Sequence, residues 1–170
     1  MSAILPTPVQ RPARRSRSER LALRSVPGQT YVVTIATLYR RPVFLDDDAA
    51  RAVCRVHTAT WPWRDARLLA WVLMPAHWQG LVTLGERDTL STLIGRFKAL
   101  SSRAVEDRHR VNGWLWGRGF GDRALGADED PLAVARHVVA HPLRAGLVQR
   151  LGDYAYWNAA WLRPGEQGVD

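Results

Sequence analysis

The sequence predicts an α+β domain with an antiparallel sheet. Three observations lead there: a β-branched and aromatic run at residues 28–39, two apolar runs at 68–74 and 77–84 split by Pro75-Ala76, and helix-patterned segments that separate the strands.

In chain order, residues 28–39 (Gly-Gln-Thr-Tyr-Val-Val-Thr-Ile-Ala-Thr-Leu-Tyr) read as a strand after a turn. Asp46-Asp47-Asp48 then caps an Ala-rich helix to about Thr60, because acids in the first turn suit the positive end of a helix. Residues 68–74 are continuously apolar, as in a strand buried on both faces, and a second strand follows the Pro75-Ala76 break. Across 89–110, Leu90, Leu93, Ile94, Phe97, Leu100 and Val105 recur at helical spacing with basic residues between them. Residues 114–125 look strand-like, and 131–141 read as a helix with Pro131 in its first turn and Pro142 stopping it. The order βαββαβ is the ferredoxin-like plan, with its helices on one face of the sheet, and the last helix is a C-terminal helical extension.

The 170 residues and 46% apolar content suit one domain with its own core. Residues 1–27 differ from the rest: six arginines (Arg11, Arg14, Arg15, Arg17, Arg20, Arg24) stand against Glu19, with four prolines. This is the composition of a disordered basic arm, and it carries five of the eight net positive charges. It suits either a polyanion such as nucleic acid or a merely solubilising role. A folded domain at 28–162 and a tail at 163–170 complete the expected division. Cys54 is alone, which excludes an internal disulfide framework and a cysteine metal knuckle. No run approaches the roughly 18 apolar residues of a membrane span, and the arm lacks the apolar core of a secretory signal, so the expectation is a cytoplasmic protein without a membrane partner.

Three of the five histidines fall in two short pieces, Met74-Pro75-Ala76-His77-Trp78-Gln79 and His137-Val138-Val139-Ala140-His141-Pro142. Residues two apart on a strand share a face, so His77 and Gln79 address one ligand; residues four apart on a helix do the same for His137 and His141. One fold can thus gather three imidazoles and an amide. Eight tryptophans are many for this length, and Trp61, Trp63, Trp78, Trp114 and Trp116 lie near arginines, as base-stacking platforms would. Trp71 in its apolar strand reads as core, and Trp78 faces away from His77 and Gln79. The helix face bearing Arg96, Lys98, Arg103, Arg108 and Arg110 suits a phosphate track or an ordinary solvated surface.

Trp71-Val72-Leu73-Met74-Pro75-Ala76-His77, then Trp116, Arg118-Gly119-Phe120 and Asp122-Arg123, and finally Pro142-Leu143-Arg144-Ala145-Gly146-Leu147-Val148 resemble the REP-associated tyrosine transposases. These belong to the HUH single-strand endonucleases, and the likeness runs collinearly from about Gly28 to Leu162. The resemblance implies an HUH-like fold, a His-x-His pair on a central strand holding a divalent cation, a nucleophilic Tyr on a helix, and a polar amide four residues later. The cation polarises the scissile phosphate and the Tyr hydroxyl attacks it.

Here the second His of the pair is Gln79, the amide position is His141, and the nucleophile position is His137. The implied metal set is therefore His77, Gln79 and His141, which suits Mn²⁺, or Mg²⁺ with more difficulty. His137 takes the catalytic position, although a phosphohistidine linkage is labile and favours hydrolysis over rejoining. Tyr31, Tyr39, Tyr154 and Tyr156 fall where the resemblance implies packing. Arg96, Lys98, Arg103, Trp114, Trp116, Arg118, Arg123 and Arg144 are the expected DNA contacts. The partner is single-stranded or hairpin (palindromic repeat) DNA, bound by a monomer or homodimer, with residual metal-dependent strand cleavage. The alternative is a DNA-binding module, or domesticated regulator, that has lost the chemistry.

Overall fold

The computed structural model describes residues 25–109 and 114–161, except for the side chains of 107–109. The arm up to residue 24, the tail from 162, the Arg108 side chain and Arg110 lie outside the described residues. Five strands form one sheet in the order β4-β1-β3-β2-β5: β1 Thr30–Ala36, β2 Ala66–Met74, β3 His77–Leu84, β4 Gly121–Ala124 and β5 Trp157–Ala159. Every pairing is antiparallel. The first four strands, with helices α1 (Asp47–Thr58) and α2 (Leu90–His109) between them, follow the expected βαββαβ plan.

Both connecting helices cover one face. The Asp46 carboxylate caps α1 by accepting the Ala49 N–H at 2.9 Å, and Ala49, Ala50, Ala52 and Val53 are small enough to let α1 lie close to the sheet and to α2. Tyr31, Val33 and Ile35 of β1 and Trp78, Val82 and Leu84 of β3 point into this layer, as the two-residue period of a strand requires. Its centre is aromatic. The Trp78 indole donates to His57 Nε2 at 2.7 Å, and His57 stacks on Trp71 with ring centres 3.9 Å apart and planes 4° from parallel. Gly80, the next residue of β3 on this face, makes room for Trp78, because any Cβ there would overlap the indole ring.

The helical extension covers the opposite face. Helix α3 (Pro131–Val139) packs Ala135 and Val139 against Ala70 and Leu81, and Val138 against Val72 and Met74. This explains why residues 68–74 read as continuously apolar: β2 has protein on both sides. After α3, the single turn α4 (His141–Arg144) and a fifth strand on the β2 edge complete the chain; the strand was not foreseen. The Leu73 N–H donates to Tyr156 O at 2.8 Å and the Tyr154 hydroxyl to Leu73 O at 2.6 Å, which pins the last segment to β2.

Two elements are shorter than the sequence suggests. β1 stops at Ala36 rather than Tyr39, because the Thr37 N–H and hydroxyl both turn to Ala76 O and the chain then enters a tight 3₁₀ corner. Of residues 114–125 only four form β4; upstream, Trp116 makes an isolated bridge to Thr37, and the Gly117 and Gly119 carbonyls take Lys98 instead of a ladder partner. Among the described residues, no helix is long and apolar enough to cross a membrane.

Candidate functional site

The Pro75-Ala76 turn sets the site's position. Met74 and His77 pair directly across it, so His77 opens β3 at the end of the sheet, and Gln79 follows two residues on, with its side chain on the α3 face. Helix α3 reaches the same end. Its Asp130 cap accepts the Leu132 and Ala133 N–H groups, and Val138 anchors its last turn on Val72 and Met74.

The helix does not run through His141 as the spacing suggested. It ends at Val139, and Pro142 sits in the first turn of α4 because it has no N–H to donate back into α3. This break at Ala140 gives the two histidines different surroundings. His141 is half-buried, with Nδ1 3.5 Å from His77 Nε2 and ring centres 4.8 Å apart. His137 remains exposed, and its carbonyl, not its ring, accepts Arg144 Nη1 at 2.6 Å.

Burial above all, then the neighbouring His141 and the Arg40 charge, pushes His77 down to about 4. His141 is also held below the ordinary histidine range, by burial first and then by Arg144 and His137. Both rings are therefore neutral at pH 7, the form that ligates a cation or shares one hydrogen bond. Gln79 donates from Nε2 to Thr34 Oγ1 at 3.4 Å, while its Oε1 is buried with no hydrogen-bond partner. Such an orphaned acceptor is costly unless a ligand completes it. Two neutral imidazoles and one unpaired amide oxygen fit a divalent cation, but no group of three His, Cys, Asp or Glu side chains gathers among the described residues, so the set brings no negative charge of its own.

The structure scatters the other expected contacts. Helix α2 lies across the sheet from His77. On it, Arg96 is a nearly buried ion pair with Asp88, at 2.7 and 2.8 Å, and its guanidinium also lies 5.3 Å from the exposed Trp61 ring. Lys98 is half-buried and holds the Gly117 and Gly119 carbonyls at 2.8 and 2.7 Å, whereas Arg103 is exposed. Trp116 is 3% exposed, and its indole donates to Ser101, so it packs in the core and offers no face to a base; Trp63 is buried likewise. Trp114 is 72% exposed, Arg118 is exposed, and Arg123 is exposed but paired with Glu129 at 2.6 Å.

None of the described tyrosines replaces the missing nucleophile on α3. Tyr31 is core, and Tyr154 is committed to Leu73 O, with its hydroxyl pushed up to about 12 by burial. Tyr156 is half-buried at the edge of Tyr154. Tyr39 is different. It was placed among packing residues, yet it is 86% exposed, on the corner that follows β1. Nothing in the sequence marks it, because its exposure follows from a left-handed backbone (φ 56°) that a Tyr codes for poorly.

Comparison with known proteins bears on the fold and the family. No curated protein matches the sequence. Among solved structures, a REP-associated tyrosine transposase bound to a REP hairpin is similar in fold, with a TM-score of 0.60 and 21% identity over 87% of this chain and 82% of that one. A protein described as a transposase of Deinococcus radiodurans matches at 22% identity and a TM-score of 0.47, covering 64% of this chain and 85% of that one. The model of the IS200-like transposase family matches residues 25–138, a span that includes His77, Gln79 and His137 and stops just short of His141. With two thirds of its length matched in this way, the chain belongs to the family of IS200-like transposases.

Proposed function

We propose that this protein binds single-stranded or hairpin DNA on the α3 face of its sheet, and that recognition rather than strand transfer is its main activity. The observation that carries the reading is the 3.5 Å approach of His77 and His141 at one sheet end, with Gln79 two residues along β3 on the same face and the exposed His137 where the family's nucleophile would stand. A buried amide oxygen without a partner is a group that an ion or a water can complete. The structural relative that carries a REP hairpin supports the choice of partner.

His77 Nε2, His141 Nδ1 and Gln79 Oε1 would hold a divalent cation, with Mn²⁺ the better fit, and a DNA phosphate would supply the negative charge that the three ligands lack. When bound, such an ion polarises a phosphate for attack. The protein's own contribution is to keep both imidazoles neutral and turned toward each other, and to fix the Gln79 amide through Thr34. Arg144 and Arg118 supply phosphate contacts; Arg96 and Lys98 are already committed on or beside the far face.

The second reading keeps residual cleavage, with His137 as nucleophile. The absence of a tyrosine from α3 favours binding alone. Incubating the protein with labelled hairpin DNA and Mn²⁺, read both by mobility shift and on a denaturing gel beside His137→Ala, decides between them. A shifted but intact hairpin is the expected result. Cleavage that disappears in His137→Ala would establish the second reading, and no shift at all would remove both.

A further inference from the structure

We propose that the groove between α1 and α2 is a docking site for an acidic, amphipathic segment of a partner protein, with Trp61 as its anchor; the proposal does not depend on the DNA-binding reading above. The groove has a volume of about 770 Å³ and lies on the helical face, across the sheet from α3. Its floor is aliphatic: Ala52, Val56 and Ala59 come from α1 and its end, Leu100 and Ala104 from α2. Alanines where two helices meet leave a channel that larger residues would fill, and a channel of this kind takes the apolar stripe of a peptide.

Trp61 lines the groove from the short turn after α1; it is 54% exposed and belongs to none of the core clusters. Its ring is nevertheless held. The guanidinium groups of Arg64 and Arg96 each lie 5.3 Å from the ring centre. Arg96 is fixed in turn by its ion pair with Asp88 and by donating from Nη1 to Pro62 O at 3.0 Å. A large ring set in place before a partner arrives loses little freedom on binding, and such tryptophans carry much of the energy of an interface.

Charge decides the kind of partner. Arg55 lines the groove and is exposed, and the exposed Arg64 stands beside Trp61; neither forms an ion pair among the described residues. Asp47 on α1 and Asp88 ahead of α2 are already paired, with Arg51 and Arg96. An apolar floor with two unpaired cations at its rim is complementary to apolar side chains flanked by carboxylates. DNA suits it less well, because the aliphatic floor offers neither a ring to a base nor a donor to a phosphate. The groove and the histidine pair lie on opposite faces of the sheet, so one molecule can hold a partner segment and a nucleic acid at once.

The test selects short random peptides, displayed on phage, against the full chain and measures the enriched sequences by anisotropy as fluorescein-labelled peptides. Enriched peptides should combine aspartate or glutamate with leucine or an aromatic residue, and should bind more weakly as salt rises. Arg55→Glu and Trp61→Ala, both at exposed positions, should each weaken that binding about tenfold. Arg64→Glu, which leaves α1 untouched, should do the same even if Arg55→Glu disturbs the helix. Arg150→Glu, exposed and outside the groove, should change nothing. No enrichment, enrichment of basic or uncharged sequences, or binding that survives these groove variants overturns the proposal. A single-stranded DNA probe run beside the peptides covers the other occupant: DNA binding that is lost in Arg55→Glu, with no peptide bound, would make the groove a nucleic-acid surface and overturn the docking site.

Discussion

The two faces of the sheet are built from the same strands and serve opposite ends. Under α1 and α2, Trp78, Phe97, Leu93 and Ile94 are sealed from water, and His57 is clamped between rings. Under α3, His77 and His141 are half-buried, 3.5 Å apart, and open to the end of the sheet. Each face leaves buried polar atoms unpaired, but with different meanings. His57 Nδ1 and Trp63 Nε1 are enclosed in the aromatic stack, whereas Gln79 Oε1 is buried on the α3 face, which it shares with His77. The first face holds the fold together; the second brings two histidines to the end of the sheet, which is where the proposed site lies.

The largest effect should come from breaking the closed face. Trp78→Ala removes the hub of the aromatic layer and should lower stability by about 3–5 kcal/mol in chemical denaturation; a loss near 1 kcal/mol would mean the layer is not the core. Acid should weaken the same face next. Burial pushes His57 down to about 3, so below pH 6.5 the unfolded chain takes up a proton that the folded one refuses. Stability should be flat above pH 6.5 and fall toward pH 4, by up to roughly 1.4 kcal/mol per pH unit for each such histidine. His77, held at about 4, adds to the fall. Denaturation curves at pH 7 and pH 5 measure it, and His57→Phe should flatten the slope.

On the open face, Gln79→Leu replaces an unpaired buried oxygen with apolar volume and should raise stability by about 1 kcal/mol while weakening Mn²⁺ binding in calorimetry. A destabilised variant with unchanged Mn²⁺ affinity would show that Gln79 is structural. The smallest change is expected from Tyr39→Gly, which relieves the left-handed strain at the corner but adds freedom to the unfolded chain, for a net gain of a few tenths of a kcal/mol at most.

How much was legible depends on how local the physics is. The β2–β3 hairpin and the shared face of His77 and Gln79 follow from a strand period of two, which tertiary context does not alter. Trp78, read among the base-stacking rings, is sealed instead: the same rule turns it away from His77, onto the face that α1 and α2 cover. The helix bearing His137 was read slightly too long: it ends at Val139, and a new turn with Pro142 begins at His141. Arg96, Lys98 and Trp116 carry the right chemistry for DNA, yet Asp88, two glycine carbonyls and Ser101 claim them, and no sequence pattern displays partners so far along the chain. β5 was missed because three residues on an edge leave no period to read. Tyr39 was missed because left-handed corners in non-glycine residues are imposed by their surroundings.

The contrast between the faces is tested most directly by neutralising one arginine on each, Arg144→Gln beside α3 and Arg103→Gln on α2, and measuring hairpin affinity against salt concentration. If DNA lies on the α3 face, Arg144→Gln weakens binding and lowers the salt slope by about one, while Arg103→Gln leaves both as they were. The reverse pattern would place the DNA on the helical face that this structure reads as core and support.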